Sequence, residues 1–231
     1  MYILCLLLIS ALGAFAADDK KDVTQRLQNA TSTLHEIMAT PDKGIPQDLL
    51  DKANCVVVVP GLKKGAFIVG AEFGKGFATC RKAGAWSAPA AIRVEGGSVG
   101  FQNGGQEIDV VMLVMKESGA KRLLDSTKFT VGADASVAAG PVGRDATAAS
   151  DASMKAEILS YSRSRGVFAG VALKGATVRP DMEDNAVMYG KRLTTKEVID
   201  TQKATADAQP FLAELNRTSP REMPADRPTK K

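Results

Sequence analysis

The sequence predicts an α+β fold: a curved, mainly antiparallel sheet or partial β-barrel with N- and C-terminal helices packed against it. Three observations lead there. Near both ends apolar residues recur at three- and four-residue steps, through the middle they recur at every second residue, and glycine-rich stretches separate the middle runs. With 231 residues, 45% of them hydrophobic, the chain can fill one sizeable core. Aromatics make up only 5% and there are 21 glycines, so that core should consist of Val, Ala, Leu and Ile on strands that approach closely. Roughly seven to nine strands are expected, within the usual size of one sheet.

Met1–Ala16, MYILCLLLISALGAFA, has an apolar centre of signal-peptide length, and Ala14-Phe15-Ala16 supplies a small-x-small cleavage pattern. The expectation is export to a periplasmic or extracellular compartment, with membrane association left open. As a span the run falls short of the roughly 20 residues required. The expected division is 1–16 signal peptide, 17–44 N-terminal helix and linker, 45–190 main domain, 191–218 C-terminal helices and 219–231 disordered Pro- and charge-rich tail. Beyond Cys5 in the leader, two cysteines remain. In an oxidising compartment Cys55 and Cys80 point to one disulfide, with a pair of buried free thiols as the alternative.

Asp22–Met38 carries Val23, Leu27, Leu34, Ile37 and Met38 at helical spacing. Such a helix could cover an open face of the sheet or insert among lipid headgroups. Ile45–Ala53 reads as a short helix with Pro46 near its first turn. The β-branched run Cys55–Val59 reads as a buried strand stopped by Pro60-Gly61, and Ala66–Phe73 as a strand turned by Gly74-Lys75-Gly76 into Phe77–Lys82. Ala90–Val94 and Ser98–Gln102 read as strands joined by Glu95-Gly96-Gly97, with Trp86 before them either closing the core or facing an interface. Ile108–Met115 has the character of a central strand, and Glu117–Asp125 of a short helix with Leu123 and Leu124 inward.

Lys128–Val131 returns to strand, and Gly132–Gly143 is almost wholly small residues, suited to close passage of another segment or to a groove. Asp134 there could be a buried acceptor. Ala156–Tyr161 and the run holding Val167, Ala169, Val171 and Leu173 suggest a hairpin whose tip, Ser162–Arg165, presents two guanidinium groups. Asp181–Tyr189, Thr194–Thr205 and Ala206–Asn216 read as helices.

Catalytic constellations are weak. Gly96-Gly97-Ser98-Val99-Gly100 matches the nucleophile-elbow pattern, but the one histidine, His35, lies upstream and no helix pattern follows. One histidine and two well-separated cysteines offer no zinc ligand set, and no phosphate loop or dinucleotide fingerprint occurs. Glu107 and Asp109 share a strand face, a spacing that most often marks a polar strand end. The sequence therefore predicts no enzyme, no cofactor and no metal site. Basic residues interleaved with aromatics are absent too, which argues against a nucleic-acid partner.

The remaining signal is charge on turns: Lys63 and Lys64 before the second strand, Lys75 at its turn, Arg81 and Lys82 at its exit, and Arg163 and Arg165 at the hairpin tip. Lysines at strand edges keep sheets soluble, while a rim of them also attracts phosphate, each worth about 1 kcal/mol toward an anionic bilayer. The net charge of +4 permits the second use.

Two stretches, GADASVAAGPVGR at Gly132–Arg144 and SYSRSRGVFAGVALKGA at Ser160–Ala176, resemble the signatures of the SYLF-domain family. The likeness runs from about Ile45 to Tyr189, and KANCVVVVPGLKKGAFIVGAEFGKG and WSAPAAIRVEGGSVGFQNGGQEIDVVML also fit it. Eukaryotic members of that family bind phosphoinositide membranes, with an amphipathic segment before the domain implicated, and yeast members bind actin filaments. The resemblance thus implies a non-enzymatic module that recognises anionic phospholipid, here an exported one of bacterial type; the seven basic residues, read from the charge at turns and not from the family, are its candidate headgroup contacts. Two alternatives accompany it: a protein-interaction module of the actin-binding type, and a carrier of a small apolar ligand in a groove at Gly132–Gly143.

Overall fold

The β-branched run at Cys55–Val59 opens β1 (Cys55–Ala66), which lies in the middle of a ten-stranded sheet curled into a half-barrel. The computed structural model describes residues 2–39, 44–66, 69–99, 104–143, 155–164 and 166–220. The other strands are β2 (Val69–Lys82), β3 (Ala85–Trp86), β4 (Ala90–Val99), β5 (Gly104–Val114), β6 (Phe129–Thr130), β7 (Val137–Ala139), β8 (Ile158–Ser164), β9 (Val167–Gly170) and β10 (Thr177–Pro180). They run β6-β10-β4-β2-β1-β5-β8-β7, with β3 on the end of β2 and β9 on β8. Among the described strands only β7 and β8 pair in parallel, besides an isolated parallel bridge between Val131 and Ala135.

Both faces of the sheet are covered, which is why the run at the start of β1 is apolar throughout. Cys55, Val57 and Val59 face one core together with Val110, Met112 and Val114 of β5, and Val56 and Val58 face the other. The first core is closed by α3 (Glu117–Asp125) and α5 (Thr195–Thr201) through Leu123, Val198 and Ile199. Over the second lie α1 (Tyr2–Met38), α2 (Gln47–Lys52) and α6 (Gln209–Thr218). Along α1, Val23, Leu27, Ala30, Leu34 and Ile37 are buried in that core, so this stretch serves as the cover of a sheet face. α4 (Met182–Tyr189) begins at the Asp181 cap, which accepts from the Asp184 amide, and ends at Gly190 in the left-handed region.

The strands are longer than the glycine punctuation suggested. Pro60-Gly61 does not stop β1: the register slips there as a bulge, and Lys63 and Lys64 sit on the strand instead of a turn. Nor does Gly74-Lys75-Gly76 turn the chain, since β2 runs through it. A Cβ on Gly76 would overlap the Val58 carbonyl and stand 2.8 Å from Val59 Cα, so the glycine marks a close approach of strands. Glu95-Gly96-Gly97 likewise lies inside β4. Three short strands were not read from the sequence, β3, β7 and β10, and among the described residues ten strands stand where seven to nine were expected.

In the β8–β9 hairpin Val167 and Ala169 face outward, and Phe168 stacks on the buried Tyr161 at 5.3 Å. Arg163 belongs to β8 rather than to the tip. The small-residue run serves close passage: a Cβ on Gly140 would overlap the Tyr161 ring, and one on Gly170 the Gly140 carbonyl. Asp134 is exposed and accepts from the Thr130 amide. Trp86 is buried and donates from its indole to the Ser219 carbonyl at 3.3 Å. Cys55 and Cys80 stand directly opposite one another on β1 and β2 and are joined as a disulfide. Arg144, Gly100–Gln102, Phe67 and most of the expected tail lie outside the described residues.

Lys75 anchors the helices to the sheet. Its ammonium stands 2.8 Å from Asp181 and 3.0 Å from Asp184, and Asp184 also pairs with Arg26 of α1. Burial opposes the lysine's charge, but the two carboxylates outweigh it and hold the group above its ordinary pKa. A lysine raised in this way contributes stability that is complete below its unfolded value of about 10.4 and lost as pH climbs through the folded value. Lys75→Met is expected to cost about 1–2 kcal/mol at neutral pH, allowing for solvent screening of a half-buried group. The gap in melting temperature from the parent should narrow as pH rises through the raised folded-state pKa of the lysine, and a gap independent of pH would refute the linkage.

Candidate functional site

The sequence-predicted cations are, with one exception among the described residues, engaged by the chain itself. Lys64 pairs at 3.0 Å with Glu72, its register partner on β2. Lys75 lies beneath α4, as above. Lys82 pairs with Asp200 at 2.9 Å, and Arg81 stacks over Trp86 with its guanidinium 4.2 Å from the ring centroid while bonding to Ser219. Arg163 donates to Asp109 from Nε at 2.9 Å and Nη2 at 2.6 Å, and pairs through Nη1 with Glu36 of α1. Lys63 is exposed and makes no ion pair among the described residues, although it stands opposite Glu107. Arg165 lies outside the described residues. Most of these residues therefore tie helices or neighbouring strands together, each at its own junction.

The junction at Arg163 is also a groove. On one side of the Arg163–Glu36 pair a polar cleft of about 470 Å³ opens between α1 and the bulge of β1, reaching Glu107 and Asp109. A cleft of about 450 Å³ adjoins it on the other side, lined by Ile37, Val167 and Phe168. The floor is rigid: Asp109 accepts from the Gly61 amide at 2.9 Å, and Gly61 holds φ +63° at the bulge, where a Cβ would press on Glu107. At the rim Val167 is 70% exposed and the Glu36 side chain 55%. Sequence reading flagged Glu107 and Asp109 as a pair and Arg163 apart from them; their convergence depends on the β5–β8 register, which places Asp109 opposite Arg163.

His35 is on the exposed side of α1 beside Glu214 at 3.2 Å, and Glu214 is held below its ordinary pKa first by its bond from Arg217. Gly96–Val99 lies within β4, paired along β2, rather than at a strand-to-helix elbow. Among the described residues no group of three His, Cys, Asp or Glu side chains is placed to hold a metal ion.

Residues 95–218, from the middle of β4 to the end of α6, match the model of a family described as "Ysc84: Las17-binding protein actin regulator". The chain belongs to this family. It is the SYLF family that the two signature stretches resemble. LAS seventeen-binding protein 3 of Saccharomyces cerevisiae is 35% identical over 161 residues, 68% of this chain and 35% of that protein. Protein YSC84 of the same yeast is 34% identical over 175 residues, 74% of this chain and 37% of its own length. SH3 domain-containing YSC84-like protein 1 of Xenopus laevis is 34% identical over 152 residues, 65% of this chain and 45% of that protein. The chain thus spans less than half the length of each of these relatives. Within the Ysc84 match fall Glu107, Asp109, Arg163, Val167 and Phe168, while the α1 wall of the groove precedes it.

Proposed function

We propose that the chain is a non-enzymatic protein-interaction domain whose partner is of the actin-regulatory kind named for its relatives. The Ysc84 match over residues 95–218 carries this reading, because the matching relatives are themselves named for binding another protein. The pairing of the candidate cations adds to it. Cations already held by Glu72, Asp181, Asp184, Asp200 and Asp109 must give up those partners before they can meet a phosphate.

A second reading, recognition of anionic phospholipid, is favoured by the exposed Lys63, which makes no ion pair among the described residues, and by the net charge of +4. Co-sedimentation separates the two. The folded chain is expected to pellet saturably with actin filaments or to be retained by immobilised purified Las17, and to distribute equally between neutral and acidic vesicles. Retention by neither protein would overturn the first reading. Pelleting that rises with acidic lipid and falls with salt would establish the second.

A further inference from the structure

β2, β4 and β10 carry a row of three cations, because Lys75 is the register partner of Arg93 and Arg93 that of Arg179. Like charges at directly opposite positions repel, so each member of such a row needs an acid to answer it. Lys75 has two carboxylates, Asp181 and Asp184. The two arginines share one. Glu95, on β4, stands 2.9 Å from Arg93 Nε and 3.3 Å from Arg179 Nε.

That contact is an ion pair without hydrogen bonds. The Nε–H of each arginine is buried and makes no hydrogen bond, and neither guanidinium donates to any other group among the described residues. An arginine has only donors to offer, so such a pair lacks acceptors. The side chains of Arg93 and Arg179 are 37% and 33% exposed, and with Nε buried this exposure belongs to their other atoms. Glu95 approaches both from the Nε edge. The fork formed by Nη1 and Nη2 of each arginine is therefore the side left to an incoming acceptor.

We propose that Arg93 and Arg179 form an oxyanion site that takes a phosphate group. Side chains at directly opposite positions start about 5 Å apart, close enough for both forks to reach one anion. A carboxylate has two oxygens and is filled by a single fork, whereas the terminal oxygens of a phosphomonoester can accept from two forks at once. Glu95 cancels one of the two positive charges and holds the guanidiniums side by side, and the phosphate answers the other. Both arginines lie within strands, which sets this site apart from the cations read at turns. The site is independent of the protein-interaction reading, and its ligand is either a soluble phosphomonoester or the same group on a lipid.

Inorganic phosphate is the probe, added to the whole chain at constant ionic strength with chloride as the reference. Phosphate is expected to raise the melting temperature by a few degrees more than chloride, and to shift saturably the amide resonances around Arg93 and Arg179. Arg93→Gln and Arg179→Gln should each weaken this binding about tenfold, and Arg179→Lys about threefold or more, because lysine keeps the charge without the fork. Glu95→Gln should tighten it about threefold or more by removing a like charge from beside the anion, a gain that purely structural arginines would not produce. Lys63→Gln, at an exposed position outside the site, is the control and should bind as the parent does. Each variant is compared with its own phosphate-free melt, so a change in basal stability does not mask the result. Phosphate that acts as chloride does, arginine variants that bind like the parent, Glu95→Gln that binds no better, or an equal loss in Lys63→Gln would each overturn the proposal. Vesicles of phosphatidylcholine with phosphatidic acid separate the two sources. Pelleting that disappears in Arg93→Gln places the phosphate on a lipid, and phosphate binding without pelleting places it in solution.

Discussion

Gly76→Ala is expected to destabilise the fold by about 3 kcal/mol or more and to lower the melting temperature by roughly 6–12 °C. The added methyl would overlap the Val58 carbonyl, 3.0 Å from its carbon and 2.8 Å from Val59 Cα. These neighbours are backbone, so no side chain can rotate away. They also belong to β1, which is hydrogen-bonded to β2 and β5 and buried on both faces, so moving it disturbs both cores at once. Gly65→Ala is the control. It changes a glycine of the same strand pair where a Cβ meets nothing within 4 Å, and should shift stability by less than about 0.5 kcal/mol. Thermal and urea melts of both variants decide the matter, and equal stabilities would show that β1 and β2 can separate without cost.

The same glycine explains where the sequence was legible and where it was not. Helices announced themselves because burial on one face repeats every three or four residues. Glu117–Asp125 has the expected bounds, and the buried positions of α1 include Val23, Leu27, Leu34 and Ile37 of the expected stripe. Glycine, by contrast, has two uses in a sheet, turning and admitting a neighbour, and composition does not separate them. Gly74, Gly76 and Gly96 were read as turns and are points of contact between strands or with Glu72 and Ala176. β10 was missed because a four-residue strand shows too few alternations to register.

The groove escaped for a different reason. Each of its charged residues was visible, but a lysine or arginine looks solvent-facing in sequence when its acid lies far along the chain, as Asp109 does from Arg163 and Asp184 from Lys75. The pairings are products of the sheet order, which brings β5 beside β8 and α4 over β2. Cation positions alone therefore suggested an open rim, and only tertiary structure revealed that most of that charge is spent internally.

Reducing the Cys55–Cys80 bond is expected to remove about 3 kcal/mol of stability and to lower the melting temperature by roughly 6–12 °C without changing the folded topology. The bond spans a sequence separation of 25 residues, and closing a loop of that length restricts the unfolded chain far more than the folded one, where β1 and β2 are already paired across the same residues. Both cysteines are buried in the core beneath α5. A reductant should therefore act slowly on the native protein and quickly in urea, because the sulfurs must first be exposed by opening of the β1–β2 pair. Cys55→Ala with Cys80→Ala should destabilise at least as much as reduction, since it also removes two buried sulfurs from a packed layer. Superimposable melts with and without reductant, after thiol titration has confirmed two free cysteines, would mean that cross-strand hydrogen bonds alone hold the sheet centre together.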